Sequence, residues 1–387
     1  MLRKLCVFVF FAGWAAMAHA QAVSVTSESQ PIGTQPMERV ARKIEPDLAG
    51  RPERLPQYVD FFRRELVNDP RLFAFDVAAK PAGGRRIDLT GYVEFPETHR
   101  SLVDYLQSLD FEVEDQLEEL PAESLGEKRF GFVKSAHSLS YDRPSGRRGV
   151  VTDCLLGEPV YLLREDSKHL LVHAGEGYLG YVNAADVHRV DGKAFADYLT
   201  GSRVRVTRDV EVDGRRIPAG TRLKMLRTDD PQIEVRLPAG EVAKLPRESC
   251  EVLSEPTEID SVVANAKRLI GTPYLWGGKT SKGVDCSGLV QIGYATVGLH
   301  LPRDSNQQVY LGQLSATRWH RDGLRRGDTL YFLGSDGKIR HTGMYLGDDQ
   351  FIQAVSPHVT INSFNPDDEN YDDAHRKSFA FAKRLLE

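Results

Sequence analysis

Large apolar residues recur at helical intervals at Tyr58, Phe61, Phe62, Leu66 and Leu72, then alternate with polar ones over Phe73 to Val77 and Ile87 to Val93 around a Gly83-Gly84 turn. Leu102, Tyr105, Leu106 and Leu109 return to the helical period. A period near 3.6 predicts helices and strict alternation predicts half-buried strands, so residues 55–128 are expected to fold as a small α+β domain. From Phe130 to Val252 the pattern changes to short apolar runs between turns, among them Val160 to Leu163, Leu170 to Val172 and Tyr178 to Val182. That spacing predicts two small β-barrels, over 129–192 and 193–254. Glu258 to Ile270 carries Ile259, Val262, Val263, Ala266 and Leu269 on one face and closes at Gly271 and Pro273, which predicts the first helix of a last domain, 255–387. A helix carrying Leu289, Val290, Ile292 and Ala295 follows. Four strands come next, over Leu330 to Phe332, Thr342 to Leu346, Phe351 to Val355 and Thr360 to Phe364, completing an α+β chain.

The first twenty residues pair Arg3 and Lys4 with an apolar stretch, Leu5 to Met17, and a small-residue end, Ala18-His19-Ala20. This is the pattern of a cleaved secretory signal over 1–20, and it predicts export to a periplasm or cell envelope. Residues 21–54 hold Ser, Thr, Gln, Pro and Gly with few large apolar side chains and are expected to form a flexible leader. A chain with 41% hydrophobic and 27% charged residues is globular, and a net charge of −5 without a dense Lys/Arg cluster gives nucleic acid no footprint. No later apolar stretch is long enough to span a membrane. The acidic run Glu112 to Glu127 reads as a solvated linker or helix face. Beyond the leader stand Cys154, Cys250 and Cys286; Cys154 and Cys250 either pair or are two small buried residues.

Cys286 lies at the start of the helix that holds Leu289 and Val290, and a helix N-terminus stabilises a thiolate. His341, 55 residues on, opens the strand Thr342 to Leu346. A cysteine nucleophile needs a base within hydrogen-bond reach and donors for the oxyanion formed on an amide carbonyl. Cys286 is expected to attack and His341 to form the thiolate–imidazolium pair and then protonate the leaving amine. Gln353 orients the ring, with His358 as an alternative third member. The Cys286 N–H and the Tyr274 hydroxyl hold the oxyanion. No metal-ligand spacing occurs, so neither a metal nor any other cofactor is expected, and Gly278-Lys279-Thr280 lacks the preceding strand and first glycine of a phosphate loop.

Five ordered motifs surround these residues: Gly271-Thr272-Pro273-Tyr274-x-Trp276-Gly277-Gly278, Asp285-Cys286-Ser287-Gly288-Leu289-Val290, Leu301-Pro302-Arg303-Asp304-Ser305, Arg326-Gly327-Asp328-Thr329-Leu330-x-Phe332 and His341-Thr342-Gly343-Met344-Tyr345-Leu346-Gly347. Together they resemble the NlpC/P60 family of cysteine peptidases. The resemblance implies a papain-like catalytic domain and cleavage of peptidoglycan stem peptides or muropeptides, usually between D-γ-glutamate and the diamino acid. It also implies that Asp285, Ser287 and Ser305 hold the free amine and first alanine of the substrate. The family usually places a second histidine where Gln353 stands. Leu156-Gly157-Glu158 with Gly177-Tyr178-x-Gly180-Tyr181-Val182 resembles bacterial SH3 domains, which implies a substrate contact from Tyr178 or Tyr141, and a fainter copy runs from Gly201 to Leu253. Leu66-x-Asn68-Asp69-Pro70-Arg71-Leu72 with Leu89-Thr90-Gly91-Tyr92-Val93 looks like the BON family of envelope domains. The competing functions are an amidase acting between the sugar and the first alanine, and a catalytically inactive wall-binding protein.

Overall fold

The computed structural model describes residues 34–67, 69–253 and 258–386. The expected signal sequence and residues 21–33 lie outside the described residues. The rest of the expected leader is not featureless: α1 (Thr34–Ile44) buries Met37 and Ala41. Those two positions, four apart, make one narrow stripe in a polar helix, too sparse for a composition argument to register.

In the N-terminal unit α2 (Leu55–Leu66) and the hairpin β1 (Phe75–Gly83) and β2 (Arg86–Val93) are followed by α3 (Pro96–Ser108) and β3 (Glu112–Glu119). β1 pairs antiparallel and β3 parallel to β2. The acidic run expected as a linker or helix face is therefore largely an edge strand. Val113 and Leu117 pack on the core and Asp115 between them, on the same face, bonds to His99 of α3, a pattern that a dense charge run conceals.

Seven strands build the next sheet: β4 (Phe130–Val133), β5 (His137–Tyr141), β6 (Val150–Leu155), β7 (Pro159–Asp166), β8 (His169–His173), β9 (Leu179–Asn183) and β10 (Val187–Val190), in the order β10-β4-β7-β8-β9-β5-β6. α4 (Gly192–Leu199) leads to β11 (Arg203–Val206), the small hairpin β12 (Val210–Val212) and β13 (Arg215–Ile217), β14 (Arg222–Asp229), β15 (Gln232–Arg236), β16 (Val242–Pro246) and β17 (Cys250–Leu253). Here the five-stranded order is β16-β15-β14-β11-β17. Cys154 and Cys250 are buried free thiols in the separate cores of these two sheets, so the disulfide considered from the sequence is absent and the small-hydrophobe reading holds for both.

The C-terminal unit opens with α5 (Glu258–Lys267), the two-residue strands β18 (Lys279–Thr280) and β19 (Gly283–Val284), α6 (Cys286–Ala295) and α7 (Ser305–Gln308). A six-stranded antiparallel sheet follows, built from β20 (Gln313–Thr317), β21 (Thr329–Leu333), β22 (Ile339–Gly347), β23 (Gln350–Ala354), β24 (Val359–Ser363) and, after α8 (Asp373–Ser378), β25 (Phe379–Arg384). Its order is β20-β25-β21-β22-β23-β24. Val262, Leu289, Val290, Met344 and Ile352 join α5 and α6 to this sheet in one apolar cluster.

A continuous core joins the N-terminal unit to the sheets behind it. Phe73, Phe95 and Phe381 meet with ring centroids 5.5 to 5.7 Å apart. Arg318 donates to both carboxylate oxygens of Glu97, and the Ser101 hydroxyl donates to the Ser335 carbonyl. The Ser101–Ser335 contact ties the β21–β22 connection to α3, and the Arg318–Glu97 pair ties the end of β20 to the same helix. Among the described residues no helix is long and apolar enough to cross a membrane.

Candidate active site

Cys286 is the first residue of α6, whose N-cap is Asp285. The Asp285 Oδ1 accepts from the Gly288 N–H at 2.8 Å. A β-carbon on Gly288 would lie 2.3 Å from the Gly278 carbonyl oxygen, and one on Gly278 would lie 2.5 Å from the Gly283 carbonyl oxygen. Glycine at both positions lets the Gly277-Gly278 loop sit directly on the helix start. There the Gly277 N–H donates to Asp285 Oδ2 at 2.8 Å.

The Cys286 thiol is buried. Burial pushes its pKa up and the Asp285 charge adds to this, against N–H groups from Thr342, Ser287 and Cys286 itself that favour the thiolate. Thr342 follows His341, so β22 brings both residues over the start of α6. The Tyr274 hydroxyl is held above its ordinary pKa by burial and by the nearby Cys286 and Asp285 charges. It remains a protonated donor beside the nucleophile.

His341 Nε2 lies 2.7 Å from Gln353 Oε1. β22 pairs with β23 in a register that places Gln353 opposite Gly343, and Gln353 is fully buried. Because its carbonyl oxygen can only accept, His341 Nε2 carries the proton and Nδ1 keeps its lone pair. Burial, then the His375 charge, push the His341 pKa down to about 3, against the opposing pull of Gln353 and Asp372. Burial thus acts against charge on both groups, raising the Cys286 pKa and lowering that of His341.

His358, the alternative third member, is exposed and bridges to Pro273 rather than approaching His341. The sequence reading missed the second layer. Gln353 Nε2 donates to Asn362 Oδ1 at 3.0 Å and to Asp372 Oδ2 at 3.1 Å. Asp372 Oδ2 also accepts from His375 Nδ1 at 2.7 Å, and the His375 ring stands 4.8 Å from that of His341. Burial acts to raise the Asp372 pKa, but the bonds from His375 and Gln353 outweigh it and bring it down to about 2. An Asp three residues before the His it caps is a legible helix start; that this start faces Gln353 is not.

Around Asp285 the sequence missed Arg303. Its Nη1 donates to Asp285 Oδ1 at 3.0 Å and to Ser287 Oγ at 2.8 Å, and its Nη2 pairs with Asp285 Oδ2. Burial acts to raise the Asp285 pKa, but Arg303, Gly288 and Gly277 hold it below the usual carboxylate range. Ser305 opens α7, and Gln308 of that helix donates to the Ser287 carbonyl. Two positions beyond is Tyr310, whose pKa is raised by burial first and also by the neighbouring Asp69 and Tyr178. The Arg71 guanidinium lies 5.9 Å from the Tyr178 ring centroid. Tyr141 instead stacks under Arg148, 3.9 Å from its ring centroid. Among the described residues no group of His, Cys, Asp or Glu side chains is arranged to hold a metal ion.

Residues 271–373 match the NlpC/P60 family. A γ-D-glutamyl-L-lysine dipeptidyl-peptidase of Bacillus cereus is 28% identical over 227 residues, 52% of this chain and 66% of the relative. Dipeptidyl-peptidase 6 of Lysinibacillus sphaericus is 27% identical over 58% of this chain and 88% of its own length. The murein DD-endopeptidase MepS/murein LD-carboxypeptidase of Escherichia coli is 40% identical over 30% of this chain and 57% of its own. The chain thus spans just under two thirds of the first of these relatives and more than half of the third. A solved NlpC/P60 family structure from Bacillus cereus is 22% identical, with coverage of 67% of this chain and all of that one and a TM-score of 0.31. The C-terminal part of this chain, over residues 271–373, is an NlpC/P60 family domain.

Proposed function

We propose that this protein is an exported cysteine endopeptidase that hydrolyses peptidoglycan stem peptides at the bond between γ-D-glutamate and the diamino acid. The observation that carries the reading is the 2.7 Å contact of His341 Nε2 with Gln353 Oε1, which leaves a neutral imidazole nitrogen for a thiol at a helix N-terminus. In this reading Cys286 Sγ attacks the amide carbon as His341 Nδ1 takes the thiol proton. The oxyanion is met by the Cys286 N–H and the Tyr274 hydroxyl, and the proton then passes to the departing amine. Water, deprotonated by the same nitrogen, hydrolyses the thioester and restores the thiol.

Ser287 and Ser305 then bind the start of the peptide beside Asp285. The seven-stranded sheet serves as an SH3-type domain that brings Tyr178 to the cleft, and the five-stranded sheet is its second copy. The N-terminal unit serves as a BON-like envelope attachment. The γ-D-glutamyl-L-lysine dipeptidyl-peptidase among the relatives supports the bond, and the murein DD-endopeptidase supports murein as the substrate class.

A second reading draws on Arg303. Because its guanidinium already neutralises Asp285 and bonds to Ser287, a free ammonium gains less at this spot than at an unpaired carboxylate. That favours tolerance of an acylated alanine, and with it an amidase or an endopeptidase acting on intact muropeptides. L-Ala-γ-D-Glu-diamino acid and its muramyl-linked form, each incubated with the protein and with Cys286→Ala and followed by mass spectrometry, separate the readings. Cleavage of the free peptide alone supports the first. Cleavage of the linked form after γ-D-Glu removes the free-amine requirement, cleavage at the sugar–alanine bond selects the amidase, and silence on both removes the peptidase.

A further inference from the structure

Gln353 is an amide, and an amide can present either its oxygen or its nitrogen to a histidine. Which end faces His341 decides which imidazole nitrogen carries the proton, and therefore which is free to act as base. Gln353 is fully buried, so water does not settle the choice.

The choice is made by the far side of the side chain. Asp372 Oδ2 lies 3.1 Å from the amide nitrogen and already accepts from His375 Nδ1 at 2.7 Å. An ionised carboxylate cannot donate, so only the NH2 end of Gln353 can face it. Asn362 Oδ1, at 3.0 Å, accepts the other amide proton, while its own NH2 is directed to the Asn370 carbonyl. Gln353 flipped end for end would set its oxygen against the Asp372 carboxylate, leaving two acceptors facing each other beside a fully buried side chain.

We propose that Asp372 is the positioning residue of this active site: by accepting from Gln353 Nε2 it forces Gln353 Oε1 onto His341, so that the proton sits on His341 Nε2 and Nδ1 is the base. The relay rests on the peptidase reading above only for its consequence in turnover. Its geometry is independent of any substrate. A glutamine, which carries no charge and no fixed polarity, is thereby made as directional as a carboxylate.

Asp372→Asn tests this, because Asn caps a helix as well as Asp does and so preserves the Asp372 Oδ1 bond to the His375 N–H. It places an NH2 group where Oδ2 stood, which favours the flipped Gln353 and moves the histidine proton to Nδ1. Long-range 15N–1H spectra of His341 are expected to show Nε2–H in the parent and Nδ1–H in the variant. With a cleavable stem peptide, kcat is expected to fall by about 10²- to 10⁴-fold, as for a base held in the wrong tautomer, with KM nearly unchanged. Asn362→Asp added to Asp372→Asn returns an obligate acceptor to the same amide, and is expected to bring the proton back to Nε2 and recover most of kcat. Thermal melts accompany each variant. If Asp372→Asn does not fold, Asp372→Ser, which also caps but does not reach Gln353, is expected to give a mixture of the two tautomers.

An Asp372→Asn protein that keeps Nε2–H and loses less than threefold in kcat overturns the proposal. So does a double variant whose proton stays on Nδ1. A parent protein that cleaves no stem peptide but shows the proton moving as described overturns the peptidase reading and leaves the relay standing.

Discussion

Asp285 and Asp372 both cap the helix that follows them and both hold pKa values below the ordinary carboxylate range, yet they are satisfied in opposite ways. Asp285 is buried and receives a full guanidinium from Arg303 together with two backbone N–H groups. Its charge is spent on welding the Gly277-Gly278 loop, the start of α6 and the Leu-Pro-Arg segment into one wall. Asp372 is part-exposed and meets no arginine: its partners are a histidine ring, a backbone N–H and a neutral amide. Pairing with a guanidinium at the first site makes rigidity, whereas at the second the carboxylate makes direction, because an oxygen that can only accept dictates which end of an amide faces it.

The deepest cut to this contrast removes what both networks serve. Cys286→Ala is expected to lower stem-peptide cleavage by at least about 10⁴-fold, the scale of losing a nucleophile, with an unchanged melting temperature. Gln353→Ala severs Asp372 from His341 while leaving the nucleophile, and a loss of about 10²- to 10³-fold in kcat is expected by steady-state kinetics, since the base loses its orienting partner. A loss as large as that of Cys286→Ala would mean that Gln353 does more than orient.

Arg303→Ala sharpens the other arm. A carboxylate left buried without its cation is destabilising by about 3–5 kcal/mol when fully enclosed; with the Arg303 side chain one third exposed at 32% and two N–H donors remaining, about 1–2 kcal/mol is expected in a denaturant melt. If Arg303→Ala costs no more than Asp372→Asn, the rigid-wall reading of the first site is lost.

His341 supplies a pH signature. Its ordinary pKa of 6.5 is depressed to about 3 in the folded chain, so below pH 6.5 the unfolded chain takes up a proton that the folded chain refuses. Stability therefore falls as pH drops from about 6.5 towards 3, by at most about 1.4 kcal/mol per pH unit for one group. The slope of parent stability against pH is expected to exceed that of His341→Gln over this window, and equal slopes would show a ring that is not held neutral. The smallest effect is at Trp276, which is 81% exposed beside Gly277: Trp276→Ala is expected to change stability by less than about 0.5 kcal/mol, so that any change in KM reports substrate contact directly.

Much of the site was legible because its chemistry is local. Cys286 at a helix start, His341 near a strand start and Tyr274 in the loop before Cys286 are short-range patterns, and Gln353 was picked out by the family resemblance, as the residue standing where a second histidine is usual. The acidic edge strand Glu112–Glu119 and the helix Thr34–Ile44 were misread for the same reason: composition outweighed two apolar positions in each. Arg303 stood inside a recognised motif but its role did not, since nothing in Leu301-Pro302-Arg303 says which carboxylate it will face.

The sequence by itself determined the helix that begins at Cys286, the strand that carries His341 and the α+β order of the last domain, because each is written in spacings of two to four residues that local geometry converts directly into a face. The tertiary structure alone decided which end of Gln353 faces His341. Asn362 on β24, Gln353 on β23, and Asp372 with His375 at the start of α8 come from three stretches of chain that meet only when the sheet closes over α8. A glutamine's two ends are chemically distinct but sterically alike, so its orientation exists only where the surrounding acceptors have been assembled.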